Sequence, residues 1–242
     1  MKNGWTSSRQ LPQLGENIMN GRAEFDSMPA PYRLETSGSQ TLPAYRLFLR
    51  ESFRKIRVTA SVLPSSRFLA AAMLDQVDFL KVRNLVELGS GTGVITQQIL
   101  RHMTPDSHLF ALEINANFVR YLRTCWPDTR LTVLHADASD LLNQLAAHNA
   151  ATIDVVISSL GLAGMTSEHR SCIVRQAEGC LAPAGLMIQF QYVPSLAFVT
   201  DLPNRQIRRF KEGEFLRSYF PSVSVKPVFL NLPPALVFTC RK

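Results

Sequence analysis

The sequence predicts a doubly wound α/β fold, a mostly parallel sheet that ends in an antiparallel hairpin. Four short apolar runs carry that prediction, at residues 85–93, 109–113, 131–137 and 154–160, each reading as a buried parallel strand. Stretches with helical spacing follow each run, as crossover connections require. A late pair of β-like segments, 223–230 and 235–240, is separated by Asn231-Leu232-Pro233-Pro234 and supplies the antiparallel end.

Taken in chain order, residues 1–40 are rich in Ser, Gly, Asn and Pro without sustained periodicity, which predicts a disordered or loosely packed extension ahead of a folded domain at 41–242. Residues 44–57 place Tyr45, Phe48, Leu49, Phe53 and Ile56 on one helical stripe. Around it stand Arg46, Arg50, Arg54, Lys55 and Arg57 against the single acid Glu51, a basic amphipathic helix suited to an anionic membrane surface. The same stripe could also pack on the domain or meet RNA. Pro64-Ser65-Ser66 then leads into an apolar helix over 67–77 with serine at its start.

The first strand ends in Glu87-Leu88-Gly89-Ser90-Gly91-Thr92-Gly93, and a helix is expected over 94–103. Glycines at this spacing let the chain turn sharply and let a ligand approach the backbone. A carboxylate in front of them repels phosphate and attracts an ammonium. That points away from a nucleotide phosphate and toward S-adenosylmethionine, whose methionine end carries an amino group. Glu113 closes the second strand about 20 residues on, where nucleoside-binding folds carry a ribose-binding acid. Asp137 closes the third strand and could accept from an adenine amino group, although acids at such places are also ordinary helix caps. The dinucleotide fingerprint G-x-G-x-x-G is not met, because the third glycine is misplaced. Further helices are expected at 117–126, 167–181 and 206–219, the last basic through Arg208, Arg209, Lys211 and Arg217, with a fifth strand at 186–192.

Composition narrows the function classes. The 242 residues are 46% apolar and 19% charged, enough for one domain plus an extension. No apolar run approaches the roughly 18–20 residues that span a bilayer. Residues 1–10 lack a signal-peptide core, which predicts a cytoplasmic protein. Cys125, Cys172, Cys180 and Cys240 show no metal-ligand spacing and read as reduced structural thiols, so no metal is expected. The net charge of +7 favours an acidic partner, either nucleic acid or an anionic membrane.

With these motifs in place, residues 42–242 resemble the class I S-adenosylmethionine-dependent methyltransferases. Among them the chain is most similar to bacterial phosphatidylethanolamine N-methyltransferases related to rRNA adenine dimethylases. Val62-Leu63-Pro64-Ser65-Ser66, the run 86–93, Val156-Ile157-Ser158-Ser159-Leu160, Gln189-Phe190-Gln191-Tyr192-Val193-Pro194 and Asn231-Leu232-Pro233-Pro234-Ala235 carry the likeness. The resemblance implies a seven-stranded sheet. It also implies that Glu87, Gly89, Gly91 and Gly93 surround the methionine part of S-adenosylmethionine, with Ser65 and Ser66 near its carboxylate. Glu113 would hold the ribose, Asp137 and Ala138 would border the adenine, and Ser158 would lie near the transferred methyl. Tyr192, at the end of the fifth strand, is the candidate for positioning the amine, and Ser158 is the other catalytic candidate. The helix at 44–57 stands where the family docks on anionic membrane, so the expected enzyme is peripheral on the inner face of the cell membrane and takes a phospholipid.

One departure bears on the acceptor. The adenine dimethylases carry an Asn-Leu-Pro-Tyr type motif after the fourth strand, whereas this chain has Ser158-Ser159-Leu160-Gly161. Without the Asn, Pro and aromatic ring, a flipped adenine is disfavoured as substrate. An RNA or other small-substrate methyltransferase is the alternative enzyme. A membrane- or RNA-binding protein that keeps the fold without turnover is the non-enzyme alternative.

Overall fold

Strand β1 (Asn84–Leu88) carries buried apolar residues on both faces, with Glu87 as its one buried acid, because both faces are covered. The structure is a computed structural model that describes residues 67–150, 152–193, 199–201, 206–208, 210–231 and 233–242. The extension at 1–40, the amphipathic helix at 44–57 and Ser65 with Ser66 lie outside the described residues.

Helix α1 (Arg67–Leu74) precedes β1, and α2 (Val94–His102) crosses from it to β2 (His108–Glu113). Helix α3 (Ala116–Cys125) leads to β3 (Leu131–His135). A short 3-10 turn (Ala138–Asp140) and α4 (Leu141–Ala147) lead to β4 (Ile153–Ser158). A second such turn (Leu162–Gly164) and α5 (Ser167–Cys180) lead to β5 (Leu181–Tyr192). A small hairpin, β6 (Val199–Asp201) and β7 (Gln206–Arg208), precedes α6 (Glu212–Arg217), β8 (Ser222–Val228) and β9 (Ala235–Arg241).

Seven strands form one sheet in the order β3-β2-β1-β4-β5-β9-β8. Strands β1 to β5 run parallel, and β9 lies antiparallel between β5 and β8. One face packs on α4, α5 and α6 through residues such as Leu141, Val174, Leu216 and Phe220. The other packs on α1 and α2 through Leu69, Met73, Ile95 and Ile99. Alternation along β5 therefore sends Met187 to the first face and Ile188, Phe190 and Tyr192 to the second. Strand order reverses between β1 and β4, which opens a crevice at their C-terminal ends.

The expected terminal hairpin forms, with β9 in the interior position and β8 at the edge, where a proline such as Pro227 is tolerated. Two expectations change. The helix expected over 206–219 is instead β7 followed by the short α6. Three residues of polar–apolar–polar sequence cannot distinguish the two periods, and pairing with β6 decides. Strand β5 begins at Leu181, not 186, absorbing Pro183-Ala184-Gly185 as an irregularity with Ala184 at φ 63°.

Candidate active site

At the C-terminal end of β1 the backbone turns back through the glycines and is pinned to the end of β2. Gly89 N–H donates to Leu112 O at 2.9 Å, and Gly93 N–H to Ser90 O at 2.8 Å. Gly93 has φ 79°, and a Cβ there would lie 2.6 Å from the Trp126 ring and 2.7 Å from Leu122, so only glycine fits. Gly91 has φ 53° with nothing within 4 Å of a would-be Cβ, so there is room for a ligand to come close to the backbone.

Glu113 closes this loop from β2. Its Oε2 accepts from Gly91 N–H and its Oε1 from Asn115 N–H, each at 2.8 Å. A carboxylate has about four lone-pair positions, so capacity remains for two further donors. Glu87, buried beside it, accepts from Thr96 Oγ1 at 2.6 Å through Oε2, while its Oε1 and the adjacent Ser90 Oγ make no well-formed hydrogen bond. Burial pushes its carboxyl up to about 7, opposed by the Thr96 and Ser90 hydroxyls and reinforced by the charge of Glu113. An orphaned, buried carboxylate oxygen and hydroxyl beside an open glycine backbone fit the ammonium end of S-adenosylmethionine. Asp137 does the work of a cap: its Oδ1 accepts from Ser139 N–H at 2.8 Å, and His169 Nε2 lies 3.6 Å away, with Ala138 buried beneath.

Across the crevice, Ser159 N–H donates to Leu88 O at 2.9 Å, joining β4 to β1. Leu160 stands against the glycine loop, its Cδ2 2.7 Å from where a Gly89 Cβ would be. Ser158 is buried and its register partner is Gln189 on β5. Gln189 Nε2 donates to Leu160 O at 2.8 Å and to Phe190 O at 2.7 Å. Tyr192 is not brought to Ser158. It lies on the opposite face of the sheet, edge-on to Phe190 at 5.1 Å within the core under α1.

Gln189, Gln191 and Glu212 are not among the candidate residues read from the sequence. All three are buried near the end of β4, and burial drives the Glu212 carboxyl up to about 8, against the Gln189 amide and the positive charge of Arg170. Two glutamines at alternate positions of an otherwise apolar strand were a legible signal. Glu212 had none, because only the fold brings it to β5.

A methyltransferase domain family model matches residues 85–185. The ornithine lipid N-methyltransferase of Singulisphaera acidiphila is 30% identical over 196 residues, which cover 81% of this chain and 94% of that protein. The precorrin-6y C5,15-methyltransferase of Geobacter metallireducens shares the fold at a TM-score of 0.54 and 16% identity, covering 76% of this chain and 93% of that one. A T. thermophilus 16S rRNA methyltransferase in complex with AdoMet and guanosine gives a TM-score of 0.52 at 18% identity, covering 76% of this chain and 44% of that one.

Proposed function

Because the chain belongs to the class I S-adenosylmethionine-dependent N-methyltransferases, we propose that its acceptor is the primary amine of a phospholipid, phosphatidylethanolamine, methylated toward phosphatidylcholine at a membrane surface. The observation that carries this reading is the similarity to a lipid N-methyltransferase along most of both chains. That relative's named substrate makes an ornithine lipid the second reading, since both lipids present a primary ammonium on their headgroup.

S-adenosylmethionine supplies a methyl group already activated on a sulfonium. The protein's tasks are alignment, exclusion of water and removal of a proton from the amine. Glu87 Oε1 and Ser90 Oγ would receive the cofactor's ammonium, and Ser65 with Ser66 its carboxylate. The open backbone at Gly91 would pass beside the methionine chain, between Gly89 and Gly93. Glu113 would accept from the ribose hydroxyls, Asp137 and Ala138 would border the adenine, and Ser158 would sit beside the reacting centre.

No helix among the described residues is long and apolar enough to cross a membrane. In this reading lipid access is by surface contact from the inner face of the cell membrane, through the basic stripe at 44–57. The tip between β8 and β9 supports this reading: Phe229 and Leu230 are 78% and 75% exposed, at the same end of the sheet as the crevice. The test is purified protein with labelled S-adenosylmethionine and phosphatidylethanolamine liposomes, ornithine-lipid liposomes or ribosomal RNA, read by chromatography. Mono-, di- or trimethylated phosphatidylethanolamine is the expected product. Label confined to ornithine lipid would move the acceptor, and label confined to RNA would sink the lipid reading. Phe48 and Phe53 changed to serine should release the protein from anionic liposomes, and unchanged co-sedimentation would assign that stripe to the domain instead.

A further inference from the structure

A second polar cluster is buried in the apolar half of the molecule. Gln189 and Gln191 lie two apart on β5 and so share the face that Ser158 occupies on β4. Glu212, the first residue of α6, is buried against that face, and its neighbour Gly213 packs so closely that a Cβ there would be 3.2 Å from the Phe238 ring of β9. Few of these groups are satisfied. Both oxygens of Glu212, both amide atoms of Gln191 and Oε1 of Gln189 have no hydrogen-bond partner. A native interior tolerates such orphans rarely, and five in one cluster call for a missing partner.

The chemistry of that partner can be read from the orphans. Four of the five are acceptors: the two Glu212 oxygens and the two glutamine carbonyls. A primary ammonium carries three donors and no acceptor. The Arg170 guanidinium acts on Glu212 through its charge, but it lies over the Phe210 ring at 4.4 Å and donates to Met165 O at 2.9 Å, and its Nε is left without a partner. The cluster also adjoins the reaction centre, because Gln189 is the register partner of Ser158 and donates to the carbonyl of Leu160.

We propose that Glu212, with Gln189 and Gln191, receives the ammonium of the acceptor headgroup and takes its proton. The inference rests on the lipid-amine reading and names the site's catalytic base. The ammonium N–H bond breaks and the proton passes to a Glu212 oxygen, leaving a neutral carboxyl and a free nitrogen lone pair. That lone pair forms the new N–C bond as the C–S bond breaks, and the thioether keeps the sulfur electron pair. Glu212 then returns the proton to solvent. A carboxyl held at about 8 suits the task, since bases work best when matched to the operating pH. The charged or titratable groups around it are Arg170 on α5, Arg217 on α6 and Cys240 on β9. Burial pushes the Cys240 thiol up to about 12, so it stays neutral.

The test compares wild type, Glu212→Gln, Glu212→Asp and Gln191→Leu on phosphatidylethanolamine vesicles. Glu212→Gln should keep S-adenosylmethionine binding and lower kcat by at least about a hundredfold. It should also erase the limb of the pH–rate profile that rises toward about 8. Glu212→Asp should restore part of the rate together with the limb, and Gln191→Leu should raise KM for lipid. Wild-type kcat with an unchanged limb in Glu212→Gln overturns the base while leaving the lipid reading intact. Parallel loss of cofactor binding and rate would make the residue structural and overturns it too. If Glu212→Gln does not fold, an unchanged lipid KM in Gln191→Leu overturns the cluster. A wild type that labels no lipid amine fells both readings.

Discussion

At the ends of β2 and β3 the acids at the rim of the sheet are held by backbone: Glu113 accepts from Gly91 and Asn115, and Asp137 caps Ser139. Along β5 and α6 the polar side chains hold less: the Gln189 amide donates to two carbonyls, while the Glu212 oxygens and the Gln191 side-chain amide are left without a hydrogen bond. The first half is pre-organised by its own chain, so a ligand there adds to bonds already made. The second half is organised by burial, and a ligand there would supply bonds the protein lacks. Preformed backbone cradles suit an invariant cofactor, whereas orphaned side chains suit recognition of one particular headgroup.

The largest test of that contrast is Gly93→Ala. Its Cβ would meet Trp126 and Leu122, and φ 79° is strained for alanine, so about 3–4 kcal/mol of stability should be lost in denaturant melts. Gly91→Ala has open space and should cost only about 1 kcal/mol through its φ of 53°. Equal losses at the two positions would break the assignment of the open face to a ligand. Next is Glu113→Ala, which should weaken S-adenosylmethionine binding about a hundredfold by calorimetry, as removal of a charged acceptor predicts. Unchanged affinity would leave Glu113 only its role of tying Gly91 to β2.

A smaller effect is expected at the tip. Phe229→Ser with Leu230→Ser should cut activity on vesicles roughly tenfold, in line with lost apolar insertion, and spare a soluble short-chain lipid. Equal losses on both substrates would remove the tip from the membrane reading. The smallest concerns pH. A buried Glu87 titrating at about 7 binds a proton that an unfolded glutamate releases near 4.5. Native protein therefore holds more protons across that window, and ligand-free stability falls as pH rises through it. Glu87→Gln should flatten that slope, changing the melting temperature by on the order of 5 °C between the two pH limits. An unchanged slope would place the sensitivity elsewhere.

Legibility in the sequence follows the same division. The glycine loop, Glu113 and the four parallel strands were readable because each is a local signal: a backbone requirement, an acid at a strand end, a run of apolar residues. The position of Ser158 at the end of β4 was readable too. That Tyr192 and Ser158 take opposite faces of the sheet was not legible, because adjacency to a strand end says nothing about which face a side chain takes, and one residue decides it. Glu212 could not be found in this way. It meets Gln189 only through the return of the chain after the β6–β7 hairpin, and no spacing encodes that meeting. The start of β5 at Leu181 was hidden by Pro183 and Gly185, which usually punctuate and here form an irregularity inside the strand.

The antiparallel insertion of β9 also orders events in time. Strand β5 is paired with β4 on one side and with β9 on the other, while β8 has only β9. During synthesis the block from β1 to β5 can assemble by local crossovers, each strand joining the one before it or its neighbour. Until β9 is made, the outer edge of β5 stays open, and that edge belongs to the strand bearing Gln189 and Gln191. The half of the sheet that would recognise the acceptor is thus the last to close. A nascent chain stalled before β9 would expose the adhesive edge that folded proteins take care to cover.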